Sequence, residues 1–300
     1  MGASRKYPAR DGFTLIELSI VLVVIGLIVG GILVGQTMIG AATVRAQITQ
    51  IEKFNQAANT FYGKYGFLPG DIPQAAVTQF GFTTNPIRPG GHGCGDGNGE
   101  IDGVNGNCPS AGSWAWLQGG ETAYFWQDLS ANSHLIEGGL TAASLGSFAC
   151  TSNSACGAYF PSAKTGNGAF VYVYSGYAAN YYFGGPTTGL GPNFFGLSII
   201  NSVLFGSVNS GAIPPAPALT VAQAAAIDTK IDDGFPTTGN VLAQYLGTNN
   251  GAPGWSTNGA TPSATTCYDT SSGTAKYSIS YQNGAMVNCG ISFKMQAGDQ

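Results

Sequence analysis

The sequence predicts an α+β chain: one very long N-terminal α-helix packed on an antiparallel β-sheet head. Three observations carry that reading. A nearly uncharged run from Phe13 to Ile39 passes, without a proline, into a segment whose apolar residues recur every three or four positions up to Tyr65. Gly66, Pro69 and Gly70 then stop the helical pattern. The remaining chain is glycine-rich and carries short β-branched and aromatic runs bounded by turn residues.

The first segment, 13–39, holds 27 residues, and about 20 helical residues at about 1.5 Å each already cross the hydrocarbon layer of a bilayer. Arg5, Lys6 and Arg10 precede it against Asp11 alone. That bias keeps the N-terminus cytoplasmic and sends the chain after Ile39 outside. Glu17 is the one charge within the run. A charge at the centre of a bilayer costs about 2.5–3.5 kcal/mol on insertion scales, so an intramembrane carboxylate calls for a function and a partner. The nearest candidate is a positive charge on another copy of the chain.

A secretory signal places its cleavage site after the apolar core, so that cleavage removes the core. Here the order is reversed. The polar leader ends at Gly12, directly before the apolar run, and a cut between Gly12 and Phe13 leaves the helix attached with a new amino terminus.

Gly12-Phe13-Thr14-Leu15-Ile16-Glu17-Leu18, behind a short basic leader, resembles the class III signal of type IV pilins and of the pseudopilins of type II secretion. The resemblance implies that residues 1–12 are a leader, that a prepilin peptidase cuts after Gly12, and that Phe13 is N-methylated. It also implies that Glu17 pairs with the Phe13 amino group of the neighbouring subunit during assembly. Its expected partners are other pilin subunits, the prepilin peptidase, the inner-membrane assembly machinery and the membrane itself. The expected location is the bacterial inner membrane, single-pass with the head outside, and then a cell-surface or periplasmic filament. Electrostatics agrees, because a buried carboxylate is tolerated only where a cation or a hydrogen-bond donor meets it.

Beyond the membrane segment, 40–66 is an amphipathic continuation. Val44, Ile48, Ile51, Phe54, Ala58, Phe61 and Tyr65 form its apolar stripe, and Arg45, Gln47, Glu52 and Lys53 are expected to face solvent. Phe13 to Tyr65 would form one rod of 53 residues, on the order of 80 Å long. Gly26, Gly30, Gly31 and Gly35 include two Gly-x-x-x-Gly spacings, which allow close helix approach or mere tolerance in lipid. Many pilin relatives loosen here at a proline; Gly30-Gly31 would supply that flexibility in this chain.

Residues 67–300 make the head. Ala169–Tyr174 and Asn180–Phe183 read as strands. Lys276–Gln282, Asn283-Gly284 and Ala285–Met295 read as a hairpin, since Asn-Gly suits a two-residue type I′ turn. Glu121–Ile136 reads as a surface helix with Phe125, Trp126, Leu129 and Ile136 inward. Val221–Ile231 reads as a second helix, with Thr220 and Gln223 at capping-box spacing and Gly234 beyond its end. Six cysteines on the oxidising side favour disulfides. Of the roughly 15 pairings open to six cysteines, neighbours in sequence are expected: Cys94–Cys108, Cys150–Cys156 and Cys267–Cys289. Without Cys-x-x-Cys, and with only two histidines, tetrahedral zinc is not expected.

The most chemical stretch is Gly95–Gly103. Asp96, Asn98, Glu100 and Asp102 stand at alternate positions, as in the front half of an EF-hand-type loop, which makes Ca2+ the candidate ion. Position 6 is Ile101 where glycine is usual, and position 12 is Asn107, so calcium would need a different last ligand. The competing reading is a solvated turn cluster. Asp228, Asp232 and Asp233 read as a helix-ending turn rather than a metal site.

Nothing in the chain matches a nucleophile elbow, His-Glu-x-x-His, a Walker loop or a dinucleotide fingerprint, so no enzyme is expected. Removing residues 1–12 takes three of 11 basic and one of 15 acidic residues, leaving 8 and 14 and a formal charge of −6. A nucleic-acid partner is therefore not expected. The leading functional expectation is a structural subunit of a type IV pilus or pseudopilus. The alternatives are a minor, tip-located adhesin on the same anchor and a type II secretion pseudopilin with a calcium-stabilised head.

Overall fold

A computed structural model describes residues 12–82, 88, 90, 93–103, 119–141, 150, 152–175, 192–200, 215–245 and 262–298. The chain divides into two compact units, Met1–Thr43 and Val44–Gln300. Helix α1 spans Leu15–Tyr65, 51 residues, and is continuous through Gly30 and Gly31. In the first unit every large apolar side chain from Leu15 to Ile39 is exposed. This stretch is the one described helix long and apolar enough to cross a membrane.

In the second unit α1 turns an apolar face inward, with Val44, Ile51, Phe54, Ala58 and Phe61 buried. The Phe54 ring meets Trp126 edge-on at 4.9 Å and Phe195 at 6.2 Å. Gln47 is buried rather than solvent-facing. Its side-chain oxygen accepts the Lys164 N–H at 2.8 Å, while Gln50 Nε2 donates to the Ser162 carbonyl at 2.9 Å. The amides that punctuate the stripe thus satisfy loop backbone that the helix covers. At Gly66 the helix ends, its N–H returning to the Tyr62 carbonyl at 2.8 Å.

After α2 (Gln74–Gln79) comes α3 (Glu121–Gln127), which continues as a π turn over Asp128–Asn132. This segment is not the surface helix its amphipathic pattern suggests, because every α3 residue is buried. Phe125 and Trp126 pack against Phe195, and the polar residues of the segment are hydrogen-bonded inside. Asp128 is fully enclosed. It receives Arg88 through two bonds of 2.6 and 3.0 Å, the Gly70 N–H at 2.8 Å and Asn132 Nδ2 at 2.9 Å. Arg88, itself buried, lies 4.4 Å from the centre of the Tyr124 ring.

The remaining elements are α4 (Asn153–Cys156), β1 (Ala169–Tyr174), β2 (Phe194–Ile200), β3 (Pro215–Ala216), β4 (Leu219–Thr220), α5 (Val221–Ile231), β5 (Val241–Tyr245), β6 (Tyr268–Asp269), β7 (Lys276–Tyr277) and β8 (Val287–Lys294). The main sheet is antiparallel. β2 lies between β1 and β8, β5 and β4 also pair with β8, and β3 joins the end of β2. Register places Val171, Val173, Phe195, Leu197, Ile291, Phe293, Val241 and Ala243 on one face, the face that meets Phe54. Both capping-box bonds of Thr220 and Gln223 are present at the start of α5.

The expected hairpin around Asn283-Gly284 does not form. β7 pairs with β6 instead, and β8 pairs with β2, β4 and β5, while Tyr281–Gly284 is a short 3₁₀ turn. Gln282 and Asn283 do take positive φ, 47° and 52°. The local turn tendency survives, but burial of β8 at the centre of the sheet decides its partners. Cys150–Cys156 and Cys267–Cys289 are bridged. Cys94 is disulfide-bonded; its expected partner Cys108, like Asn180–Phe183, lies outside the described residues.

The Arg88–Asp128 pair yields a stability prediction. Asp128→Leu alone strands a buried guanidinium and is expected to cost about 3–5 kcal/mol. The double variant Arg88→Met/Asp128→Leu should recover part of that loss in denaturant melts. A double variant no more stable than the single one would show that Asp128 acts mainly through Gly70 and Asn132.

Candidate functional site

At the start of α1, Phe13 is exposed and Thr14 caps the helix. One carboxylate oxygen of Glu17, Oε2, accepts both the Thr14 N–H at 2.7 Å and the Thr14 hydroxyl at 2.8 Å. Thr14 Oγ1 in turn accepts the Glu17 N–H at 3.3 Å. This Thr-x-x-Glu box fixes the side chain of Glu17 over the first turn. The heptapeptide that suggests export therefore also contains a helix-capping motif, legible from the spacing of Thr14 and Glu17 alone. No bond to the other oxygen, Oε1, is present among the described residues.

A second site lies in the head. Gly70 adopts φ 88°, and a side chain there would collide with the Glu121 carbonyl. Only glycine lets the turn carrying Asp71 approach the start of α3 this closely. Gly95 is similarly confined, since a Cβ would come within 2.6 Å of the Ile72 carbonyl oxygen. The loop from Gly95 to Asp102 then wraps two carboxylates with its backbone. Gly97 and Gly99 N–H groups donate to the two oxygens of Asp71, each at 2.7 Å. Gly95 and Asp102 N–H groups donate to the two oxygens of Glu121 at 2.7 and 2.8 Å. Asn193 pins the outer side, accepting from Ile101 N and donating to the Gly99 carbonyl.

Carboxylate oxygens of Asp71, Asp96 and Glu121 lie within 4.8 Å of one another. Of the four residues singled out from sequence, Asp96 belongs to this group and Asp102 adjoins it through its N–H bond to Glu121. Asn98 is used locally, its Oδ1 accepting the Glu100 N–H at 2.7 Å. Glu100 is buried beside them. Asp71 and Glu121 were missed by the loop pattern because they come from other segments. The Gly-Asp turn ending the helix stop and the Gly-Gly-Glu start of α3 are the signals that mark them.

Crowding of acids shows in their titration. Burial, reinforced by the charge of Asp96, raises Asp71 to about 7 against the loop N–H bonds. Burial, with Glu100 and Asp96, raises Asp102 to about 7 against a hydrogen bond from Ser175. Glu121 lies well above the usual range through burial and the charges of Asp71 and Asp102. The other acidic group, Asp228, Asp232 and Asp233, differs. Each of its carboxylate oxygens accepts a hydrogen bond, from Gly234, Tyr277, Asn240, Val241, Phe235 or Thr238, and together they close the loop after α5.

Residues 8–33 match the prokaryotic N-terminal methylation motif, the signature of type IV pilins and pseudopilins. No curated protein and no solved structure matches the chain. Motif and apolar helix together fit an exported, membrane-anchored subunit of the pilin or pseudopilin type. The motif implies processing by prepilin peptidase and assembly with other subunits, and its family is structural rather than enzymatic.

For the chelator-treated chain a pH dependence follows. Asp71 and Asp102 titrate near 7 when folded against an ordinary 3.8. Across that interval the folded state holds protons the unfolded state has released, so stability falls as pH rises. The Tm should decline from about pH 4.5 to about pH 8. A flat profile would show that these carboxyls are not raised.

Proposed function

We propose that the chain is a structural subunit of a surface type IV pilus, made as a precursor cut after Gly12 and methylated at Phe13. The observation that carries this reading is the apolar first half of α1, whose large side chains from Leu15 to Ile39 are all exposed. Such a surface is stable in lipid while the subunit waits, and against sister helices once it assembles. The large head, with its Cys150–Cys156 and Cys267–Cys289 bridges, suits display outside the cytoplasm.

Glu17 meets the new Phe13 amine of the adjacent subunit in this reading. The cap occupies Oε2, and Oε1 is the oxygen assigned to the ammonium. Two jobs are thereby assigned to one side chain, and they separate by substitution. Glu17→Gln keeps an oxygen for Thr14 and loses the charge; Glu17→Ala loses both.

N-terminal mass spectrometry of the mature protein should find methylated Phe13 as the first residue. Both Glu17 variants should insert in the membrane, and both should be depleted from sheared filaments. Normal incorporation of Glu17→Gln would leave only the capping role and remove the ion pair. Abundance of the wild-type chain in the shear fraction marks a main subunit, whereas trace amounts would reassign it to the filament tip.

A further inference from the structure

We propose that Asp71, Asp96, Asp102 and Glu121 together hold one calcium ion where the Asp71 turn, the 95–102 loop and the start of α3 converge. The sequence pattern points to the loop alone. The fold replaces half of that ligand set with carboxylates from outside it.

Two independent observations support the site. One is the distance: oxygens of Asp71, Asp96 and Glu121 within 4.8 Å of one another fit around a single ion at calcium–oxygen distances of about 2.3–2.6 Å. The other is an orphan. Asp102 is 1% exposed, and its Oδ1 has no hydrogen-bond partner among the described residues. A buried carboxylate oxygen without a donor is costly, and it needs a reason. Asp102 adjoins the cluster directly, its own N–H lying 2.8 Å from a carboxylate oxygen of Glu121.

The loop N–H groups account for Asp71 and Glu121 as anchored side chains without any ion. They do not account for Asp102 Oδ1. Nor do they block coordination, since each bonded oxygen of Asp71 and Glu121 accepts one N–H and keeps a second lone pair. All donors in the set are hard oxygens, and two of the four come from a glycine-rich loop. That combination suits calcium, whose coordination is adaptable, better than magnesium, which demands a near-ideal octahedron and keeps its waters. The Asp228, Asp232 and Asp233 group, with every oxygen bonded, offers no such vacancy of donors.

The test uses the full chain purified in detergent and stripped with chelator, so it needs neither assembly nor Glu17. Calcium chloride at about a hundred-fold excess over its Kd should raise the wild-type Tm by about 5–10 °C, and equal magnesium should do much less. Asp102→Asn removes the orphan oxygen's charge without removing a bonded group. It should weaken apparent calcium affinity about ten-fold or more while leaving the Tm in chelator unchanged or raised. Asp96→Asn is the second variant, and it decides the matter if Asp102→Asn melts early in chelator. A wild-type Tm that calcium does not move, an equal response to magnesium, or variants that respond like wild type would each overturn the assignment.

Discussion

The structure depends on one buried helix face. From Val44 to Phe61 the long helix supplies the apolar residues against which the sheet closes, and Phe54, held between Trp126 and Phe195, joins helix, sheet and α3 in one aromatic contact. Ring pairs of this kind contribute beyond their buried area, and they also prescribe where each ring sits. The requirement for a dry face explains the amides of Gln47, Gln50 and Asn55. Each ties down loop backbone that would otherwise lose water as the helix covers it. A stripe read as purely apolar is in fact an apolar seam stitched by side-chain amides.

Around that seam the polar interior is organised by carboxylates. Asp128 gathers Arg88, Gly70 and Asn132, and a few residues away Asp71 and Glu121 are clasped by alternate N–H groups of one glycine-rich loop. One lies at the end of α3 and the other at its start, and both use the turn at Gly70 and Asp71. A buried acid without donors is unfavourable, so these residues act as fasteners for segments with little regular structure. The loop does for Asp71 and Glu121 what a helix N-terminus does for an anion: it presents converging backbone N–H dipoles.

Much of the architecture was legible in the sequence because it rests on local periodicity. The helix bounds, the capping box at Thr220 and Gln223, the β1 run and the sequence-adjacent bridges Cys150–Cys156 and Cys267–Cys289 all depend on residues near one another in the chain. The misread elements share a different cause. Asn283-Gly284 carries real turn chemistry, yet β8 is drawn to the centre of the sheet, where pairing with β2 and β5 buries Ile291 and Phe293. Glu121–Gln127 carries an amphipathic pattern, yet its polar side also faces protein, because Asp102, Gly95 and Arg88 arrive there from distant positions.

By itself the sequence determined what short-range chemistry can encode: a helix that is greasy at one end and striped at the other, an export motif, a glycine-rich acidic loop and cysteines close enough to pair. Only the tertiary structure decided which carboxylates meet. Asp71 and Glu121 stand 50 residues apart in the chain, and no periodicity links them. They meet because Gly70 has no side chain to hold the Asp71 turn away from α3. Proximity of that kind is a property of packed backbone, which a linear pattern does not contain.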